Sequence, residues 1–183
     1  MSADAKQNMK QSFRERTLKG REAGHVCGHA HSQLLIDYSW EKRVKSVACY
    51  LSFGDEPSTN VFIKHCQFND QIKLYVPRVN GEKLEWVLFD EDQARHPLGM
   101  NEPKGDAVPL SEVDLMVVPA LAADRQGKRL GRGRGFYDRA LSRIHAKNTV
   151  VLIHDDELLE DVPTELHDVV VQAICTCSEI ISV

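Results

Sequence analysis

The stretch at residues 117–139 constrains the fold more than any other part of this 183-residue chain. An apolar run at residues 113–118 leads into a polar loop, and three glycines then stand at alternate positions: Gly131, Gly133 and Gly135. The order of buried strand, glycine-rich loop and helix start is typical of α/β domains that bind phosphate groups. Glycine lets the backbone approach a ligand closely, and the start of a helix supplies partial positive charge.

Positive charge is concentrated in the same stretch, although the whole chain has a net charge of -4. Residues 125–139 contain a single acid, Asp138, and six basic side chains: Arg125, Lys128, Arg129, Arg132, Arg134 and Arg139. A local field opposite in sign to the net charge favours an anionic ligand. The spacing fits neither a P-loop nor the Rossmann fingerprint. From these residues alone, a phosphate site and a solvated basic loop both remain open.

A longer string at residues 129–139, RLGRGRGFYDR, resembles the signature of 5-formyltetrahydrofolate cyclo-ligases, also called methenyltetrahydrofolate synthetases. The resemblance also touches the N-terminus, the centre and the C-terminal third of the chain. It implies the ATP- and Mg²⁺-dependent cyclisation of 5-formyltetrahydrofolate to 5,10-methenyltetrahydrofolate, with release of ADP and phosphate. In that reaction the formyl oxygen is phosphorylated and N10 then attacks the formyl carbon.

The resemblance also implies roles for individual residues, which we state as expectations. Catalysis is expected of Arg129, Arg134 and Tyr137, although Tyr137 can equally serve packing. ATP is expected to contact Lys6, Lys10, Gly131, Arg132, Gly133, Arg134, Gly135, Phe136 and Tyr137. The folate substrate is expected to contact Leu51, Glu56, Glu102 and Arg129. Mg²⁺, a hard cation that takes oxygen ligands, is expected at Asp138 and Asp168.

Two of these expectations compete with simpler interpretations. Lys6, Lys10, Arg14 and Arg21 recur at near-helical spacing, which by itself indicates a solvated basic face. Glu102 precedes Pro103 in a segment where proline alone indicates no more than a rigid turn. For Trp86 we favour a place in the core over a place in the folate pocket, because aromatic side chains mostly serve packing.

Hydrophobic patterning predicts a single layered α/β domain over residues 1–183, with a mainly parallel central sheet flanked by helices. The resemblance relates this fold to sugar-phosphate isomerases and CoA-transferases. Helices are predicted at residues 4–40 with a break near 20–24, from a Ser58 or Thr59 cap to about 69, and from 136 or 137 to about 145. Strands are predicted at residues 44–51, 71–77, 83–89, 113–118, 149–153 and 169–174. Asn80-Gly81 predicts a hairpin turn, and residues 90–110 predict a loop.

Composition narrows the class of protein. Hydrophobic residues make up 42% of the chain and charged residues 27%, which is ordinary for a globular protein. The chain contains no apolar run of the ~20 residues that a membrane span needs. The acidic net charge argues against binding to nucleic acid or to anionic membranes. We therefore expect a cytoplasmic monomer that acts on a small molecule.

Cysteine and histidine patterns give no strong signal. The five cysteines are odd in number and lack a CxxC pair, so we expect neither a disulfide framework nor a zinc ribbon. Cys49 and Cys175 lie in strand-like runs and are predicted to be buried. His25, His29 and His31 lie close together, but a metal needs more convergent ligands, so partly exposed structural histidines are expected.

Three other functions compete with the cyclo-ligase. The first is a non-catalytic folate- or nucleotide-binding regulatory protein on the same fold, and the retained glycines, Asp138 and N-terminal lysines argue against it. The second is an RNA-binding module, for which the chain lacks an RNP or KH signature. The third is a sugar-phosphate isomerase, which would have no use for ATP.

Overall fold

The computed structural model of the protein describes residues 3–22, 24, 27, 29–89, 93–95, 101–165 and 168–183. The side chains of Lys6 and Glu102, two of the predicted site residues, lie outside this description. His25 lies outside the described residues altogether.

Four α-helices lie in the described residues: α1 (Ala3–Glu22), α2 (Ala30–Glu41), α3 (Asn60–Gln67) and α4 (Phe136–Leu141). The predicted break in the first helical region is confirmed. Thr59 stands at the N-cap position of α3, but its hydroxyl donates to the carbonyl oxygen of Tyr50 at 2.9 Å instead of capping the helix. Helix α4 is shorter than predicted, because the next strand begins at His145 and not at Thr149.

The strands, in chain order, are β1 (Ser46–Cys49), β2 (Lys73–Asn80), β3 (Lys83–Leu88), β4 (Gln93–Arg95), β5 (Asn101–Pro103), β6 (Ala107–Val108), β7 (Glu112–Pro119), β8 (Ala122–Asp124), β9 (Arg129–Leu130), β10 (His145–Leu152), β11 (Leu158–Leu159), β12 (Ala173–Cys175) and β13 (Ile180–Ser182). Eight of them form one sheet in the order β13-β12-β10-β7-β1-β2-β3-β6. The inner strands β2, β1, β7, β10 and β12 run parallel, while β3, β6 and β13 are antiparallel additions at the edges. The predicted α/β fold with a mainly parallel sheet is therefore confirmed.

Strand β7 lies at the centre of the sheet and is buried on both faces, as expected for a parallel strand covered by helices. Its side chains alternate between two apolar clusters. Leu115 and Val117 pack with Leu35 of α2 and Phe62 of α3, whereas Met116 and Val118 face the cluster that includes Ala140 of α4. This burial on both faces explains why residues 115–118 form an unbroken apolar run after Asp114.

The predicted loops are wrong at two places, where short strands form through tertiary pairing. The segment 90–110 contributes β4 and β5, which pair with each other, and β6, which pairs with the edge strand β3. The polar stretch after Pro119 contributes the β8–β9 pair, and β11 adds to β8. The last predicted strand also differs, since β12 begins at Ala173 and the antiparallel β13 follows it. The Asn80-Gly81 hairpin between β2 and β3 is confirmed.

Candidate active site

A cavity of about 820 Å³ opens where the chain leaves β1 and β7 at their carboxyl ends. Parallel α/β sheets characteristically bind ligands at this edge, and the volume suits a small molecule. Tyr50 and Leu51 come from the loop after β1, and Pro119 and Ala120 from the end of β7. The glycine loop at residues 131–135, the start of α4 and one face of α1 complete the wall.

The cavity brings together every predicted site residue whose side chain is described. These are Lys10, Leu51, Glu56, Arg129, Gly131, Arg132, Gly133, Arg134, Gly135, Phe136, Tyr137, Asp138 and Asp168. For Glu102 the position of the backbone alone is described. It lies in β5, which packs against β2, the strand that contributes Pro77 and Val79 to the wall.

A buried carboxylate fixes the turn between β8 and β9, which precedes the glycine loop. Oδ1 of Asp124 accepts hydrogen bonds from the backbone N–H groups of Gln126 at 3.0 Å and Lys128 at 3.1 Å, and Oδ2 accepts from Val162 N–H at 2.8 Å. Gly127 has φ +78°, and a Cβ there would lie 2.3 Å from the carbonyl oxygen of Val171. The turn between β8 and β9 therefore requires glycine at this position.

Helix α1 lies directly against the glycine loop. Nε of Arg14 donates to the carbonyl oxygen of Gly131 at 3.0 Å, and a Cβ added at Gly133 would lie 3.5 Å from the Arg14 guanidinium. The sequence placed Arg14 on a basic helical face but gave it no role in the site. Its spacing of four residues from Lys10 was the available signal, because residues i and i+4 share a helix face.

Lys10 is almost completely buried and bridges two carboxylates. Its Nζ lies 2.8 Å from Oδ2 of Asp168 and 3.0 Å from Oε1 of Glu165. Burial alone would lower the pKa of Lys10, but the hydrogen bonds to Asp168 and Glu165 outweigh it and raise the pKa. Lys10 therefore stays charged in the cavity wall. Glu165 was missed in the sequence, where no motif marks it.

Arg129 and Asp138 form an ion pair at the centre of the site. Nη2 of Arg129 donates to Oδ1 of Asp138 at 2.5 Å, and the Arg129 side chain is only 4% exposed. The Nε of Arg129 is buried and has no hydrogen-bond partner among the described residues. A buried donor left unpaired is destabilising by about 1–3 kcal/mol, so an anionic oxygen from a ligand is the natural partner for it.

A second ion pair lies in the loop after β1. Nη2 of Arg132 lies 3.3 Å from Oε1 of Glu56, whose side chain is only 7% exposed, and the Arg132 guanidinium lies 5.3 Å from the centre of the Phe53 ring. Burial raises the pKa of the Glu56 carboxyl above its ordinary value, although Arg132 opposes the shift. Burial likewise raises the pKa of the Tyr137 hydroxyl well above its ordinary value, with the charge of Glu56 adding to the effect.

The two predicted Mg²⁺ ligands each contact a cation of the protein. Asp138 is paired with Arg129, and Asp168 with Lys10. With Glu165, they place three carboxylates around one cavity, and carboxylate oxygens are the donors that a hard divalent cation prefers. The donor chemistry therefore fits Mg²⁺.

The expectations for cysteine and histidine were partly wrong. Cys49 and Cys175 are buried, as predicted. Cys27 and Cys177, however, are joined by a disulfide across 150 residues of sequence, which the odd cysteine count and the lack of a CxxC pair did not suggest. His31 is buried and not partly exposed, whereas His29 is exposed at the N-cap position of α2.

Comparisons with known proteins identify the family of this chain. The model of the 5-formyltetrahydrofolate cyclo-ligase family matches residues 3–177. The 5-formyltetrahydrofolate cyclo-ligase of Escherichia coli K12 is 34% identical over 169 residues, which cover 87% of this chain and 92% of the relative. The enzyme of the same name from Mycolicibacterium smegmatis is 34% identical over 142 residues, covering 72% and 73%.

The fold also has solved counterparts. The NMR structure of Aquifex aeolicus 5,10-methenyltetrahydrofolate synthetase superimposes with a TM-score of 0.81 at 24% identity, covering 95% of this chain and 92% of that one. Among the described residues, no helix combines the length and apolar character needed to cross a membrane. Because the family match extends over nearly the whole chain, this protein belongs to the 5-formyltetrahydrofolate cyclo-ligase family.

Proposed function

We propose that this protein converts 5-formyltetrahydrofolate to 5,10-methenyltetrahydrofolate with consumption of ATP and release of ADP and phosphate. Membership of the family and the names of the relatives support the reaction. The structural observation that carries the proposal is the buried Nε of Arg129, which has no partner in the described part of the chain and lies beside the glycine loop. A phosphate oxygen supplies the charge and the acceptor that this donor lacks.

The chemistry explains why a phosphoryl donor is needed. The formyl oxygen is an amide oxygen, and hydroxide would be a poor leaving group after ring closure. Transfer of the γ-phosphoryl group to that oxygen breaks the bond to ADP and forms an iminium phosphate. N10 then attacks the formyl carbon and loses its proton, and phosphate leaves with the electrons of the C–O bond.

In this proposal the basic side chains position and neutralise the phosphoryl group. Phosphoryl transfer requires mainly positioning and charge stabilisation from the protein. Arg129, Arg132 and Arg134 line the cavity together with Lys10 and Arg14 of α1. The N–H groups of residues 131–135 and the start of α4 add further donors for anionic oxygens. Covalent catalysis by the protein is not required.

Asp138 and Asp168 are the residues that would hold Mg²⁺. Bound there, the ion would neutralise phosphate charge next to the arginines, a role that divalent cations fill in phosphoryl transfer. Its binding would compete with the pairings that these carboxylates make with Arg129 and Lys10.

The folate ring is proposed to lie against the loop after β1. Leu51 and Phe53 offer apolar surface in the cavity, and the Glu56 carboxylate offers acceptors for the amino and ring N–H groups of the pterin. Tyr137 lines the same cavity and is suited to orient the formyl group. Glu102 is a further candidate contact, through β5. The non-catalytic alternative is not favoured, because the charged constellation around the cavity is intact.

Exchange of Arg129 for lysine tests the proposal. Lysine keeps the positive charge but loses the forked donor geometry, so Arg129→Lys should lower kcat/KM for ATP by roughly 10²-fold. Formation of the methenyl product can be followed by its near-ultraviolet absorbance. Arg125→Lys is the matched control, since Arg125 is 59% exposed outside the cavity. If Arg129→Lys kept the kcat/KM of the parent, Arg129 would not bind phosphate in the way proposed.

A further inference from the structure

Two cysteines and two histidines converge at a place separate from the cavity. The donor atoms of Cys27, His31, His154 and Cys177 all lie within 4.8 Å of one another. None of the four is among the described residues that line the cavity. We propose that this cluster is a structural Zn²⁺ site of the reduced protein, which anchors the junction of α1 and α2 to the sheet.

The topology explains how four distant residues meet. Strands β10 and β12 are parallel neighbours in which Leu152 is in register with Cys175. His154 and Cys177 each follow that register pair by two residues, so they leave the sheet side by side. Cys27, which lies between α1 and α2, and His31, in the first turn of α2, lie against these two residues.

The distances suit tetrahedral coordination. Nδ1 of His154 lies 3.2 Å from Sγ of Cys27 and 3.9 Å from Sγ of Cys177, and Nε2 of His31 lies 3.8 Å from Sγ of Cys177. Zn–S and Zn–N bonds of about 2.3 and 2.0 Å place tetrahedral ligand atoms about 3.3–3.8 Å apart. The two sulfurs are joined as a disulfide in the structure, and reduction would free both thiolates to bind a metal.

The surroundings of the histidines distinguish a metal site from a simple disulfide. Nε2 of His154 lies 3.3 Å from the carbonyl oxygen of Asp55, which leaves Nδ1 facing both sulfurs. Metal-binding histidines commonly use their second nitrogen in this way. Nε2 of His31, which lies 3.8 Å from Sγ of Cys177, also lies 2.8 Å from the carbonyl oxygen of Ile153, so on zinc binding this nitrogen would exchange that hydrogen bond for the metal. A disulfide needs neither imidazole.

Zn²⁺ is the ion that this donor set selects. Two thiolates and two imidazoles form a closed tetrahedral set with no open position for substrate, which is the pattern of structural zinc. Mg²⁺ prefers oxygen ligands, so this cluster and the carboxylates of the cavity would bind different metals. The proposal is therefore independent of the proposed catalytic function.

The cluster is well placed to stabilise the cavity from outside. The backbone N–H of His154 donates to Glu157 at 2.9 Å, and Glu157 forms a buried ion pair with Arg21 near the end of α1 at 2.6 Å. The carbonyl of Asp55, next to Glu56, contacts the His154 ring. Zinc binding would thus fix both α1, which carries Lys10, and the loop that carries Glu56.

Metal analysis of the reduced protein tests this inference. Protein purified with a phosphine reductant and equilibrated with Zn²⁺ should retain about one zinc ion per chain after gel filtration. Metal-depleted protein titrated with Co²⁺ should develop thiolate-to-cobalt absorption bands. The double variant Cys27→Ala with Cys177→Ala should lose both signals and melt several degrees lower than the zinc-loaded parent. Cys175→Ala, which removes a buried thiol two residues from Cys177, should keep them.

Two results would overturn the proposal. One is reduced wild-type protein that retains no zinc and gives no thiolate-to-cobalt bands. The other is a metal stoichiometry that Cys175→Ala lowers as much as the double variant does. The Co²⁺ titration needs only the wild-type chain, so the test remains decisive even if the double variant fails to fold.

Discussion

Oδ1 of Asp138 accepts a hydrogen bond from Nη2 of Arg129 at 2.5 Å, and this contact joins the first turn of α4 to β9. Both residues line the cavity, one proposed as a metal ligand and the other as a phosphate ligand. We infer that the ion pair holds both side chains near their working positions before the substrates bind.

Asp138→Asn should weaken the dependence of turnover on Mg²⁺. Asparagine keeps the shape of the side chain but removes the charge that a hard cation favours. It also deprives the nearly buried Arg129 of its ionic partner, which should lower the free energy of unfolding by about 1–3 kcal/mol. Mg²⁺ titration of kcat, together with urea denaturation, measures both effects. A titration curve that overlays that of the parent would place the metal ligand elsewhere, with Asp168 next to test.

Arg134→Ala should reduce turnover far more than stability. Arg134 is exposed between Gly133 and Gly135, where its side chain reaches the cavity but no core. Loss of a contact to the transferred phosphoryl group should lower kcat by roughly 10²-fold. Arg125→Ala, which removes an exposed arginine outside the cavity, serves as the control for lost charge. Wild-type kcat in Arg134→Ala would show that Arg134 only solvates the loop.

Glu56→Gln should raise KM for the folate substrate and change how stability depends on pH. Burial raises the pKa of folded Glu56 above 4.5, so its ionisation disfavours the folded state. The parent therefore loses stability relative to the variant as pH rises through the raised pKa, and the difference disappears below about 4.5. The ion pair with Arg132, whose side chain is 48% exposed, offsets this loss of stability by less than about 1 kcal/mol.

Urea denaturation of the parent and of Glu56→Gln at pH 4 and pH 7 measures that difference. We expect the variant to gain stability relative to the parent between the two pH values. A relative loss at pH 7 would mean that the pair with Arg132 outweighs the burial of the carboxylate. An unchanged KM for the folate would remove Glu56 from the proposed pterin site.

Gly127→Ala should destabilise the fold by about 3 kcal/mol or more, because the new Cβ would meet the carbonyl of Val171. Gly81→Ala is the matched control. It has a similar positive φ, +58°, but nothing lies within 4 Å of its added Cβ. The control should therefore lose only about 1–2 kcal/mol, from backbone conformation. Equal losses in chemical denaturation would show that the turn between β8 and β9 relaxes around the methyl group.

Residues 131–135 should become protected from amide hydrogen exchange when ATP and Mg²⁺ bind. The glycines lose backbone entropy on ordering, and the Arg132–Glu56 pair relieves the repulsion between Arg132 and Arg134 only in part. Phosphate oxygens would satisfy the N–H groups and offset that repulsion. The preceding turn should be protected in both states, because Asp124 already binds its amides. Strong protection of residues 131–135 without nucleotide would mean that the loop is preformed.

Much of the fold was predictable because it follows from local patterns. The apolar run at residues 113–118, interrupted only by Asp114, marks the central strand, and Asn80-Gly81 marks the hairpin. The short strands β4, β5, β6, β8 and β9 carry no such pattern, because pairing with neighbouring strands creates them. Sequence periodicity cannot report a strand of two or three residues held mainly by tertiary contacts.

The candidate site likewise has residues that the sequence predicted and residues that it missed. Its core was predictable because residues 129–139 are contiguous and carry a distinctive string. Arg14 and Glu165 come from distant segments and were missed, as was the meeting of Cys27 with Cys177. The latter joins the segment after α1 to the end of β12 across 150 residues, a contact that spacing along the chain does not encode. Convergence of single residues from separate elements becomes visible only in the folded protein.

The most direct test of the account is to incubate the pure protein with 5-formyltetrahydrofolate, ATP and Mg²⁺ while recording near-ultraviolet absorbance and ADP together. We expect the methenyl product to appear in step with ADP, one for one, and both signals to require all the components. Absence of both signals, or ADP release that does not depend on the folate, would contradict the proposed reaction.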